Sequence, residues 1–369
     1  MKRILYGLGL LLVVIHSSLA LSFQITDIEQ SLNQQIPINP ENAFHKIENL
    51  LADPKLSLVL NAKLMVMQSE IAYFIDQPEH ILKYANLALA TGQLTERWYT
   101  RALISQARAY FQLGQYNAYF ASANMAVAKA ELANLSTFKV SALVERAFAS
   151  NFLGKNDRAN KDLKLAVKYL ELLPNDFDKA IILERFSAVM TEMEHIETAK
   201  THQQQANKIY NDINSIHFLS SGNYNLGRIH QKVGDWQEAS RLMLASYHWA
   251  LKDNNKLNQA FSLSRLSELQ NNLGNYQVAK NYLDDAILAA DASNSGRVKI
   301  HVRKNMVNIL YQNKAYQECK TLLVETIAFA KSYKMQLEQV ELMTMLAETH
   351  YQLGAFKDAY STLKEASEI

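Results

Sequence analysis

The chain has 369 residues, 49% of them hydrophobic, with only 11 glycines and 5 prolines. That balance argues against a β-rich or disordered chain and for long helices joined by short turns. Setting Lys2 and Arg3 aside, 36 of the 38 basic residues remain against 36 acidic ones, so the bulk of the chain is neutral and has no general attraction for nucleic acid or anionic lipid.

The N terminus is a separate object. Lys2 and Arg3 precede an apolar run from Ile4 to Ile15, and Ser18-Leu19-Ala20 places small residues at both cleavage-determining positions. Residues 1–20 have the layout of a secretory signal peptide cut after Ala20, with an uncleaved anchor as the alternative. The run is short for a membrane span of about 20 residues. No cysteine follows it, which speaks against a lipid anchor. The single cysteine, Cys319, cannot make an internal disulfide, so an exported chain would be held by its core alone.

Residues 21–95 read as irregular helical hairpins. Asn42-Ala43-Phe44, Ile47 and Leu50 form one apolar stripe stopped by Pro54, and Pro78, Ile81, Ala85 and Ala88 form another. From residue 96 to 369 a strict 40-residue period takes over. Gly114, Gly154, Gly234, Gly274 and Gly354 fall in register, with Glu194 and Lys314 at the two remaining positions. Tyr116, Trp236, Tyr276 and Phe356 follow two residues later, and Ala159, Ala199, Ala239, Ala279 and Ala359 occupy a small position. A fixed long period means stacked units, each touching mainly its neighbours. The spacing predicts hairpins at 24–53, 57–91, 96–133, 137–172, 177–211, 217–253, 257–292, 297–332 and 336–369. The aromatic residues Tyr110, Tyr116, Tyr276, Tyr316 and Phe356 are expected to pack between helices. The last hairpin carries Ala359, Leu363 and Ala366 on one face without the polar closing helix usual in arrays. It reads either as tolerably polar outside or as part of something longer.

Tyr224-Asn225-Leu226-Gly227 followed by Gly234-Asp235-Trp236 and Ala239 resembles the tetratricopeptide repeat (TPR), a helix–turn–helix unit. The resemblance runs from about residue 24 to the end and departs from the family's usual period of 34. HEAT-type repeats have a period like this one but lack the Leu-Gly and Gly-x-aromatic pairs, and they are the second reading. The TPR resemblance implies an all-α fold, a right-handed α-solenoid of about nine hairpins. It also implies that first helices line a groove. Carried over residue by residue, the inward positions include Arg101 and Arg108, then Phe148 and Asn151, then Tyr224, Arg228 and Lys232. Phe261, Glu268 and Asn271 follow, then His301, Lys304, Asn308 and Tyr311. Asparagine pairs with both peptide N–H and C=O, and arginine grips carboxylates with two parallel bonds. Lys304 and Asn308 match the first pair of the family's carboxylate clamp, but Thr344 and Met345 stand where it needs asparagine, so the clamp is incomplete.

No catalytic motif accompanies the repeat: HExxH, phosphate loop, cysteine pair and nucleophile elbow are all missing from the sequence. His195 and Glu197 read as a solvated turn, His217 and His230 as packing residues, and Cys319 as a small apolar filler. No catalytic residue, metal or cofactor is expected. Exported long-period arrays resemble those placed ahead of a membrane helix and a cytoplasmic GGDEF diguanylate cyclase or histidine kinase. The resemblance therefore implies a non-enzymatic, periplasmic protein- or peptide-binding scaffold, the sensory input region of such a signalling protein. A complete periplasmic adaptor for envelope assembly or protein complexes is the alternative. A homodimer is compatible with either. Membrane attachment would come only through an uncleaved leader or a further C-terminal segment.

Overall fold

The computed structural model describes residues 27–333 and 335–369, and the leader expected at 1–20 lies outside them. The chain forms two compact units, one ending at Arg185 and the other beginning at Phe186. The first holds α1 (27–35), α2 (Pro40–Leu51), α3 (Leu58–Phe74), α4 (Pro78–Ala90), α5 (Glu96–Gln112), α6 (Tyr116–Leu132), α7 (Ser136–Phe152), α8 (Asn156–Leu170) and the start of α9 (Phe177–Glu192). The second holds the rest of α9, then α10 (Ile196–Asp212), α11 (Ile216–Lys232), α12 (Trp236–Lys252), α13 (Lys256–Asn272) and α14 (Tyr276–Asp291). It ends with α15 (Gly296–Gln312), α16 (Tyr316–Ser332), α17 (Gln336–Gln352) and α18 (Phe356–Ala366). No strand occurs among the described residues. The fold is an all-α solenoid of TPR-like hairpins.

The 40-residue period resolves into two nearly equal steps. A helix of 17 residues, such as α11 or α12, is closed by a three-residue turn, and two such steps make one repeat. The turns inside the hairpins from α5 onward end the first helix in the same way. In the Leu113-Gly114-Gln115 turn, Gly114 N–H donates to Phe111 O at 3.0 Å and Gln115 N–H to Tyr110 O at 2.8 Å. This is the Schellman closure, which needs a left-handed residue at its centre. Gly114 has φ +70° and Gly234 φ +78°. Glu194 and Lys314 adopt the same conformation, φ 63° and 61°, so these copies keep the turn without the glycine. Three of the turns between hairpins use asparagine instead: Asn134, Asn214 and Asn254 have φ 51–54°. Asparagine tolerates this region better than other side chains.

Packing within a hairpin relies on small residues. Ala159, Ala199, Ala239 and Ala279 are fully buried, and Cys319 takes the same place in its repeat. The Cys319 thiol is pushed up by burial and rests 3.6 Å from Thr349 Oγ1. At Gly227 a β-carbon would come within 2.8 Å of Met243 Cε, so α11 and α12 sit closer there than alanine would allow without a shift. Ser246 on α12 meets Ser220 O of α11 at 2.8 Å and Ser262 Oγ of α13 at 2.7 Å.

First helices of successive hairpins also touch: α3 with α5, α5 with α7, α11 with α13, and α13 with α15. They form the inner wall of each unit. Most aromatic residues expected between helices are partly buried there, and Tyr116 stacks on Phe152 at 4.7 Å. Phe356 departs from the expectation. It is 62% exposed and meets Tyr351 edge-on at 5.3 Å.

Candidate functional site

In the second unit the inner wall carries a cationic cluster. Tyr224 and Arg228 come from α11, Phe261 and Arg265 from α13, and Arg297, His301 and Lys304 from α15. Within each helix these residues lie three, four or seven apart, which puts them on one face. The rings form a continuous contact: Tyr224 to Phe261 at 5.9 Å and Phe261 to His301 at 5.4 Å. Arg265 pairs with Glu268 and points Nη2 at Tyr224 Oη, 3.4 Å away. Lys304 Nζ lies 2.6 Å from Glu341. Arg228 is exposed and has no ion pair or side-chain hydrogen bond among the described residues.

His301 reports the local field. Burial, reinforced by Arg265, Arg297, Lys304 and Arg228, pulls its pKa down to about 4. The imidazole is therefore neutral at pH 7, because a fifth positive charge is disfavoured where the others already converge. Such a wall suits an anion, and its aromatic floor suits an apolar side chain beside that anion.

Other expected groove residues are placed differently. Lys232 reaches back to Thr191 O at 2.7 Å. Asn271 donates to Gln312 Oε1 at 2.7 Å and accepts from Asn313 at 2.9 Å, tying the ends of α13 and α15. Tyr311 packs edge-on against Tyr316 at 5.4 Å, and Asn308 is exposed on α15. His230 is buried with Nδ1 2.9 Å from Asp235, and His217 is held by Asp253 at 2.8 Å.

In the first unit Arg101 makes two bonds to Glu70, at 2.8 and 2.5 Å, and lies over the Trp98 ring at 4.0 Å. Asn151 is half-buried at the end of α7. Arg108 is buried in an ionic cluster that sequence reasoning missed. Its Nε donates to Glu145 Oε1 at 2.7 Å. Arg185 donates to both Glu145 oxygens, at 3.0 and 2.7 Å, and Tyr119 donates to Oε2 at 2.6 Å. Burial alone would raise the Glu145 pKa, but Arg185 and Arg108 outweigh it and hold it at about 2. The signal was present: residues 145, 185 and 265 share one register of the 40-residue period, and all three are charged. Among the described residues no group of three or more His, Cys, Asp or Glu is placed to hold a metal ion, and no helix is long and apolar enough to cross a membrane.

These features define a TPR-type α-solenoid with a charged inner wall in each unit. No protein-family model and no curated protein matches the sequence. Solved structures do match the fold. A Rap protein complexed with Competence and Sporulation Factor aligns over 94% of this chain and 97% of its own, at 15% identity and TM-score 0.61. The apo quorum sensor NprR from B. thuringiensis aligns over 95% and 98%, at 13% identity and TM-score 0.54. Aspartyl phosphate phosphatase F from Bacillus subtilis aligns over 93% and 92%, at 12% identity and TM-score 0.51. At these identities the likeness is one of fold.

Proposed function

We propose that this chain is a non-enzymatic scaffold that binds an extended, acid-bearing peptide segment along the inner wall of its second unit. The observation that carries the reading is that Arg228, Arg265, Arg297 and Lys304 share one face of α11, α13 and α15 with the Tyr224–Phe261–His301 ring contacts. Guanidinium and ammonium groups facing a carboxylate form strong, oriented hydrogen bonds, and Tyr224 with Phe261 supplies an aromatic platform beside them. The fold neighbours support a binding role: one was crystallised with a factor and another is named a quorum sensor.

We further propose that the protein works outside the cytoplasmic membrane, as the sensory input region of a membrane-bound diguanylate cyclase or histidine kinase. The leader at 1–20 and the neutral remainder of the chain support export. A reporter enzyme active only outside the cytoplasm, fused after residue 60, should be active in a bacterial host, and an inactive fusion would remove export. Coding sequence for a membrane helix and an output domain is expected beyond codon 369, and a stop codon there would overturn the input-region reading.

The binding wall is tested on a peptide array probed with the purified chain. Acid-bearing peptides should be enriched. Arg228→Glu combined with Lys304→Glu should weaken them about tenfold or more while far-ultraviolet dichroism stays unchanged. An unaltered array pattern in the double variant would end this assignment.

A further inference from the structure

The first unit contains a cavity of about 250 Å³ enclosed by α1, α3, α5, α7 and α9. Pockets for drug-sized ligands are roughly 300–1,000 Å³, so this one holds something closer to a single amino acid. Its walls are apolar where Phe74, Ile104, Phe138 and Ile181 face it, and charged elsewhere.

The charges sort into satisfied and unsatisfied groups. Arg101 and Glu70 bind each other, and Arg108 is engaged by Glu145. Arg97 and Asp178 line the same cavity, and neither has an ion pair or side-chain hydrogen bond among the described residues. Arg97 only lies over the Phe138 ring, at 5.5 Å. Asp178 stands in the first turn of α9 and remains open to water. Two opposite charges therefore border one partly apolar chamber without pairing with each other.

We propose that this cavity binds a primary ammonium with an adjoining apolar side chain, the ammonium against Asp178 and the side chain in the chamber. Where the ligand is a free amino acid, its carboxylate meets Arg97. Where it is the N-terminal residue of a peptide, the chain continues outward past Arg97. Although Asp178 stays exposed at the rim, the surrounding protein strips part of its carboxyl's hydration, which is the main cause of its raised pKa; Glu70 and Asp176 add to it, and Arg101 and Arg97 oppose it. An ammonium would relieve that cost, since an opposite charge favours the ionised carboxylate. This site is independent of the cationic wall in the second unit, and its failure would leave that reading untouched.

Calorimetry on the full chain at pH 7 tests it with L-leucine, L-phenylalanine, a Phe-Gly-Gly amide and N-acetyl-phenylalanine. At least one amine-bearing probe should saturate, and the acetylated probe should bind at least about tenfold more weakly. Asp178→Asn should cause a similar loss for every amine-bearing probe. This variant should fold, because the carboxylate has no partner to lose, and dichroism checks that it does. Arg97→Ala should weaken a free amino acid and spare the amide, which distinguishes the two sources. No saturable binding by any amine-bearing probe would overturn the proposal. Equal affinity for N-acetyl-phenylalanine, or full binding by Asp178→Asn, would do the same.

Discussion

Two buried guanidinium groups converge on one buried carboxylate at Glu145, and this asymmetry decides which substitution the first unit tolerates. Removing Glu145 leaves Arg108 and Arg185 facing each other without compensation, whereas removing Arg108 leaves the two-bond Arg185–Glu145 pair intact. Breaking a buried pair from one side costs about 3–5 kcal/mol, because the partner's charge stays buried. Glu145→Gln should therefore cost about that much, and Arg108→Met clearly less, although it loses contact with the Tyr73 ring. Trp98 is buried in the same unit. Urea unfolding followed through it, in a Trp236→Phe, Trp249→Phe background, measures both costs. Equal midpoints for the two variants would refute the asymmetry. The cluster also explains why Tyr119 breaks the small-residue register. It stands where later repeats have alanine, and its hydroxyl supplies a further bond to Glu145.

At the scale of the helix and its turn, the sequence was most legible. The glycine series marked every turn inside a hairpin from residue 114 onward, and the hairpin limits follow it closely. The positive-φ asparagines between hairpins are not legible in the same way, because asparagine is frequent throughout this chain and carries no signal by itself. The wall residues were legible as a register but not as partners. Arg228, His301 and Lys304 were placed on the inner face from the Leu-Gly pair, yet no period shows that Glu341 neutralises Lys304 or that Arg265 and Arg297 complete the cluster. Arg108 shows the same limit: its burial in the cluster comes from Glu145 and Arg185, 37 and 77 positions away. The turns yield a paired prediction. Gly234→Val forces a β-branched side chain to φ +78° and should destabilise by about 1 kcal/mol or more. Lys314→Gly relieves a left-handed lysine and should stabilise by up to about 1 kcal/mol. Thermal melts that move in the same direction for both would contradict the shared turn geometry.

Over the whole molecule, Glu145 and His301 sit in different units and titrate in different windows, so acid should act on the units in sequence. His301 in the second unit has a native pKa near 4, below its ordinary value of about 6.5. Between these values the unfolded chain binds a proton that the native chain does not. Stability of the second unit therefore falls as pH drops from about 6.5 to 4, and this loss is complete below 4. Glu145 in the first unit has a native pKa near 2, against about 4.3 when unperturbed, so its contribution persists to pH 4 and is lost only as pH falls towards 2. Asp178, also in the first unit, has a raised pKa, so it takes up its proton earlier in the native state and favours folding as pH falls. The loss at His301 therefore comes first, and Asp178 opposes the later loss at Glu145, so the first unit is the more acid-resistant down to about pH 4. Single-tryptophan variants separate the units: Trp98 alone reports the first, and Trp249 alone the second. The Trp249 signal should change at a higher pH than the Trp98 signal. Replacing His301 with phenylalanine should move the Trp249 transition towards lower pH and leave the Trp98 transition in place. An anionic peptide on the cationic wall would weaken the field on His301 and raise its pKa, so binding should take up a proton between about pH 4 and 6.5. Heats of binding that do not depend on buffer ionisation enthalpy in that window would show that the ligand lies elsewhere.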